Sequence, residues 1–196
     1  NIEMEALLEL GRAVENSLDL DHILSASSKV VLMATGAEAT EVWLIDDQRE
    51  TLNLRHHQGE ASDAFNTITE FRVGEGYPGI VAQTGEAIYA HDLPNDDRFL
   101  RKSVRDAGFN TFLALPLKRS GETTGVLSVA ARGADALTSP DELRLLELMA
   151  ERIATASENA RLHQEVETLA ILTERDRLAR EMHDGLGQVL GYVNIK

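Results

Sequence analysis

The chain has 196 residues, 43% of them hydrophobic, which is enough to bury the core of one domain and leave an appendage. Its 33 acidic residues against 19 basic ones give a formal net charge of −14, which argues against nucleic acid or an anionic membrane surface as the partner of this piece. The absence of cysteine excludes disulfides, thiolate clusters, cysteine nucleophiles and thioether-linked chromophores, and it suits a reducing cytoplasm.

Taken in order, Ile2 to about Val14 has a helical pattern, with Leu7, Leu8 and Leu10 apolar among glutamates. Asp19 or Asp21 can cap a second helix that reaches Met33 and stops at Gly36. Short β-rich runs follow at Glu41–Ile45, Thr51–His57 and Ile68–Val73, the first two joined by the turn residues Asp46-Asp47-Gln48-Arg49. His56 and His57 are adjacent on a strand, so they point to opposite faces and do not share a metal; an exposed edge is the expected setting. A short helix is expected around Pro78–Thr84, a strand near Ala87–Tyr89 and another helical stretch around Arg98–Gly108. Thr111–Lys118 and Thr123–Ala131 flank Arg119-Ser120-Gly121-Glu122, a second hairpin signal. An antiparallel sheet with helices packed on it follows, an α+β layer arrangement.

The last element opens on Thr138-Ser139-Pro140-Asp141-Glu142, where Ser139 and Glu142 form a capping box and Pro140 takes the first helical position. Neither Gly nor Pro recurs before Gly185, so one helix of roughly 65 Å is expected at about 1.5 Å per residue. Its apolar seam runs through Leu143, Leu146, Ala150, Ile153 and Ala160, then shifts phase through Leu162, Val166 and Leu169. It shifts again into a stripe of Leu172, Ala179, Met182, Leu186, Val189 and Val193, a broken-heptad pattern suited to pairing with a second chain. His183 falls about 100° round from Met182, on the flank of that stripe. Next to it stands a carboxylate, Asp184, and Gln188 shares a helix face with Asp184. A neutral imidazole is a good nucleophile near neutral pH, and a neighbouring carboxylate can accept its proton.

Two family resemblances rest on these residues. Val73-Gly74-Glu75-Gly76-Tyr77-Pro78-Gly79-Ile80-Val81-Ala82, then Thr84-Gly85-Glu86-Ala87-Ile88, looks like the central signature of GAF domains. Asp92-Leu93-Pro94-Asn95-Asp96-Asp97-Arg98-Phe99, Phe112-Leu113-Ala114-Leu115-Pro116-Leu117 and Gly125-Val126-Leu127 continue it in order. The resemblance implies a pocket between sheet and covering helices that senses a small ligand of unknown identity. It makes His91, Asp92, Arg98 and Phe99 the candidate ligand-binding residues, with no metal expected. The chain departs from haem-binding relatives at Phe109-Asn110 and from cyclic-nucleotide-binding relatives at Ala131-Arg132.

Glu174–Gln188, Glu-Arg-Asp-Arg-Leu-Ala-Arg-Glu-Met-His-Asp-Gly-Leu-Gly-Gln, resembles the phosphoacceptor segment of two-component sensor histidine kinases of the nitrate-sensor-like subclass. That resemblance implies His183 as phosphoacceptor, Asp184 as base, and Gln188 with Asp184 positioning a water for dephosphorylation of a partner. It also implies a homodimer formed through a four-helix bundle, a cognate response regulator as partner, and ATP with Mg bound by a separate ATP-binding domain. Without that domain this portion is not expected to act alone. The expected divisions are 1–17 for an N-terminal signalling helix, 18–160 for the GAF sensor, and 161–196 for the linker and first phosphoacceptor helix. No apolar run approaches the roughly 18 residues that cross a bilayer, and no signal peptide is present. The chain starts at Asn1 and stops at Lys196 inside an amphipathic pattern, so it reads as a cytoplasmic portion of a longer protein. The alternative is a GAF module that binds ligand and dimerises without phosphoryl transfer.

Overall fold

A computed structural model describes residues 2–15, 17–133 and 136–193, with side chains for residues 4–183 except 15, 94 and those gaps. Two compact units result, Asn1–Asn159 and Ala160–Lys196. The first holds a six-stranded antiparallel sheet. Its strands are β1 (Ala39–Ile45), β2 (Thr51–Gly59), β3 (Glu70–Arg72), β4 (Ile88–Ala90), β5 (Thr111–Arg119) and β6 (Glu122–Ala131), in the spatial order β3-β2-β1-β6-β5-β4.

Turn chemistry sets the two hairpins. Asp46 Oδ1 accepts from the N–H groups of Glu50 and Thr51 at 2.8 and 3.1 Å, closing the β1–β2 link. Between β5 and β6 the chain turns on Ser120 and Gly121, both at positive φ (51° and 87°), the twist-matched form of a two-residue hairpin. The chain from β3 to β4 passes from one edge of the sheet to the other, and the helices on and around it cover one face. α4 (Gly76–Thr84) lies on that passage and touches β2, β3, β5 and β6; α5 (Lys102–Asp106) follows β4 and precedes β5, and α3 (Ser62–Phe65) precedes β3. Gly79 is required in α4 because a Cβ there would run into the Arg72 carbonyl oxygen.

The opposite face is covered by α2 (Leu20–Ala34), which packs on β1 and β2 and in turn carries α1 (Ile2–Glu15). Of the two possible caps, Asp19 serves: its Oδ1 accepts from Asp21 N–H at 2.9 Å and His22 N–H at 3.2 Å. The final helix, α6 (Pro140–Val193), begins in the first unit, where Leu145, Leu146, Met149, Ala150, Ile153 and Ala154 are buried. The Glu142 carboxylate, expected to close back on Ser139, takes the Gly36 N–H at 2.8 Å. In the second unit the apolar residues Leu162, Val166, Leu169, Leu172 and Met182 are exposed on this single chain. Among the described residues no helix is long and apolar enough to cross a membrane.

The expected helix Arg98–Gly108 shrinks to Lys102–Asp106, preceded by a 3-10 turn at Leu93–Asn95. The reason lies in two inward side chains. Phe99 and Arg101, two residues apart, are both buried, a spacing that suits an extended segment and not a helix. The four-residue α3 carries no clear periodic signal, and it supplies the buried Phe65.

Candidate functional site

The core on the α4 side of the sheet is built from Trp43, Phe65, Phe71, Tyr77, Phe99, Phe109 and Phe112 with aliphatic neighbours. Strand alternation should fill that face with apolar side chains. Ala39 and Trp43 of β1 obey, but Glu41 between them does not, and its residue is only 1% exposed. Arg101 answers it from the covering segment. Its two terminal nitrogens donate to Glu41 Oε1 at 2.5 Å and Oε2 at 2.7 Å, a bidentate pair, with a third contact to the Phe65 carbonyl at 3.4 Å. Five aromatic rings, those of Trp43, Phe65, Phe71, Phe99 and Phe112, lie with centroids 5.1–6.0 Å from the guanidinium carbon. A charge so placed persists in the interior only because it is paired.

His57 sits opposite Glu41 in the β1–β2 register and stacks on Phe65 with centroids 4.8 Å apart. Burial pushes its pKa down, so the ring is held neutral beside the pair. His56 does point to the other face, as alternation requires, and burial lowers its pKa too. Both lie on the edge of the sheet expected from sequence, but half-buried and not exposed. The edge strand β3 pairs only with Thr51–Asn53, so the histidines lie beyond it and are covered instead by helical residues.

The four sequence-predicted ligand residues separate. His91, Asp92 and Arg98 line a surface depression of about 390 Å³ together with Tyr89, Asn95, Asp96 and Asp97. Phe99 is in the core, edge-on to Tyr77 at 5.4 Å and Phe112 at 5.1 Å. Arg98 is engaged by Asp96, its Nε donating at 2.9 Å and a terminal nitrogen at 2.6 Å. The Tyr77 hydroxyl donates to Asp96 at 2.6 Å as well. Arg98 and that hydroxyl hold the Asp96 carboxyl well below the usual carboxylate range, while burial and the neighbouring carboxylate push the Tyr77 phenol up. Arg101 and Glu41 were not anticipated. A carboxylate at the middle of the alternating triplet Ala39, Glu41, Trp43 was the available signal.

In the second unit His183 lies on α6 with its side chain exposed, one residue beyond the exposed Met182. Asp184 and Gln188 are helical in backbone, and their side chains fall outside the described residues. Nearby, Arg177 is tied along the helix to Glu174 at 2.7 Å and to Glu181 at 2.7 Å. Arg180 Nε donates to the Asp176 carbonyl at 3.2 Å.

Comparison with known proteins agrees with this division. The sequence profile of the GAF domain matches residues 17–158, and that of a histidine kinase segment matches residues 174–196. A Nif-specific regulatory protein of Herbaspirillum seropedicae is 29% identical over 189 residues, 93% of this chain and 34% of that protein. The sensor histidine kinase YhcY of Bacillus subtilis (strain 168) is 38% identical over 88 residues, 45% of this chain and 23% of that kinase. The chain thus spans about a third or less of the length of these relatives. Among solved structures, the GAF domain of a phosphoenolpyruvate-protein phosphotransferase from Coxiella burnetii superposes with a TM-score of 0.72 at 21% identity, covering 83% of this chain and 96% of its own. The corresponding Acinetobacter domain gives 0.70 at 18% identity, with 84% and 98% covered. At such identities the likeness speaks for the fold alone. With most of its length matched by one profile and its C-terminal stretch by the other, the chain belongs to the GAF domain family and carries a histidine kinase segment behind the GAF domain.

Proposed function

We propose that this chain is the sensory and phosphoacceptor portion of a two-component histidine kinase. The observation that carries the reading is the dense run Glu174–Gln188, which lies within the histidine kinase match and includes His183 on an exposed helical face. One ring nitrogen of His183 attacks the γ-phosphorus of ATP, ADP leaves, and Asp184 accepts the proton from the other nitrogen. The phosphoryl group then passes to an aspartate of the cognate response regulator. In the reverse role, Asp184 and Gln188 hold a water for hydrolysis of that aspartyl phosphate. ATP and its Mg are bound by the kinase's ATP-binding domain, a body separate from both the GAF unit and α6, which brings the nucleotide to His183.

Two copies pair along the exposed stripe Leu162 to Met182 and on into the phosphoacceptor bundle, in the cytoplasm. The GAF unit takes up a small ligand and governs how readily His183 is phosphorylated.

The second reading is a GAF module that binds ligand and dimerises without phosphoryl transfer. It is favoured by the Nif-specific regulatory proteins, whose similarity runs along nearly the whole chain. Incubation with the ATP-binding domain of a related kinase and labelled ATP separates the two. Acid-labile label that disappears in His183→Gln supports phosphotransfer; an unlabelled wild-type chain beside a labelled control kinase supports the second reading.

A further inference from the structure

The buried ion pair sits among polar atoms that the protein leaves unanswered. Glu41 is in register with His57 on one side and Ser128 on the other, so the three form a row across the inner face of the sheet. Trp43, two residues along β1, shares that face. Ser128 Oγ and Trp43 Nε1 are buried with no hydrogen-bond partner, and the two residues are 1% and 0% exposed. Groups of this kind are costly to bury unless something satisfies them. The neutral His57 ring adds a further polar group to the row.

Charge balance restricts what could enter. A ligand bringing only an anion to Arg101 would strand the Glu41 carboxylate, and one bringing only a cation to Glu41 would strand the guanidinium. A ligand bearing both charges satisfies both partners and leaves the interior neutral. The two halves of the pair also belong to different kinds of structure. Glu41 stands on a central strand, whereas Arg101 stands just before a five-residue helix in a stretch with little regular structure. An outward shift of residues 92–106 would part them and make room between.

We propose that Arg101 and Glu41 form the recognition element of the sensor, and that its ligand is a small zwitterion of the α-amino-acid class. The ligand carboxylate is held by Arg101 and its ammonium by Glu41, with Trp43 Nε1–H and Ser128 Oγ bonding the remaining polar atoms. The proposal rests on the reading of the GAF unit as a small-molecule sensor, and it names the ligand class.

The test is thermal stability and calorimetric titration of the whole chain at pH 7 with each of the twenty common amino acids. Acetate and ethylammonium serve as half-ligand controls, and a small-molecule extract of bacteria as a broad probe. At least one amino acid should raise Tm and bind at submillimolar Kd, with neither half-ligand doing so. Ser128→Ala removes one orphaned group, so it should weaken binding about 5-fold without lowering Tm, the scale of one neutral hydrogen bond. Glu41→Gln should shift the preference towards acetate. Stabilisation by the extract but by no amino acid overturns the zwitterion and leaves the sensor reading intact. Equal stabilisation by acetate or ethylammonium likewise overturns it. No stabilisation by any probe overturns both. Phosphorylation of His183 is measured separately and depends on neither result.

Discussion

The Tyr77 hydroxyl, on the first turn of α4, donates to Asp96 in the covering segment at 2.6 Å, and Arg98 donates to both oxygens of the same carboxylate. This bond ties α4 to residues 92–99, beside the Tyr77–Phe99 ring contact. Tyr77→Phe should therefore cost about 1.5–3 kcal/mol, the range for a hydrogen bond to a charged group, and should loosen the covering segment before the sheet. Hydrogen exchange would show faster opening of residues 92–106 with strand protection little altered. Because Asp96 titrates lower folded than unfolded, its contribution is present above the ordinary carboxylate pKa near 4 and fades as pH falls below it. Tyr77→Phe should reduce that acid sensitivity.

Breaking the Arg101–Glu41 pair from one side should be far more damaging than removing it altogether. Glu41→Gln leaves a buried guanidinium without its counter-charge and should cost roughly 3–5 kcal/mol. The double change Glu41→Gln with Arg101→Met removes both charges and should recover a large part of that loss. Urea denaturation of the two variants measures the difference. Equal destabilisation of single and double variants would contradict the pairing.

His56 and His57 are both pushed down by burial, so the unfolded chain binds protons more readily than the folded one below about pH 6.5. The stability they permit is present above that pH and is lost as pH falls towards their folded pKa values. The slope reaches at most about 1.4 kcal/mol per pH unit for each histidine. His57→Phe preserves the stack on Phe65 and should flatten the fall in stability below about pH 6.5, by at most one proton, leaving the His56 share.

The exposed stripe on α6 gives a fourth expectation. Leu169 and Leu172 are 63% and 50% exposed on the single chain, too much apolar surface for a solvated helix face. Leu169→Glu with Leu172→Glu should convert a dimer to a monomer in sedimentation, leaving the GAF unit's thermal transition in place. A wild-type chain that sediments as a monomer throughout the micromolar range refutes the pairing.

Local signals in the sequence located much of the fold. Alternation and turn residues marked all six strands within about two residues, and the absence of Gly and Pro after Pro140 marked α6. Glu174–Gln188 was legible for a similar reason, since its pattern is contiguous. The interior ion pair was not. Glu41 and Arg101 stand 60 positions apart, and a charged residue seen alone points to solvent, not to a core. The covering segment misled for the opposite reason. Its Arg98–Gly108 stretch has helical composition, but the inward demands of Phe99 and Arg101 override propensity. His57 was expected to be exposed because the short α3, which lays Phe65 on its ring, has no periodic signal.

Residues 36–38 fasten both ends of the passage from sheet to final helix. The Gly36 N–H is held by Glu142 in the first turn of α6 at 2.8 Å. Glu38 takes the Arg132 backbone N–H at 2.6 Å and its guanidinium at 2.8 Å, just after β6. Glu41 lies three positions downstream on the strand that this connector begins. The root of α6 is therefore tethered to the strand that bears the buried carboxylate. A displacement of that strand by a fraction of an ångström would reach α6 at its base, with no need for anything bound inside the sheet to touch the helix.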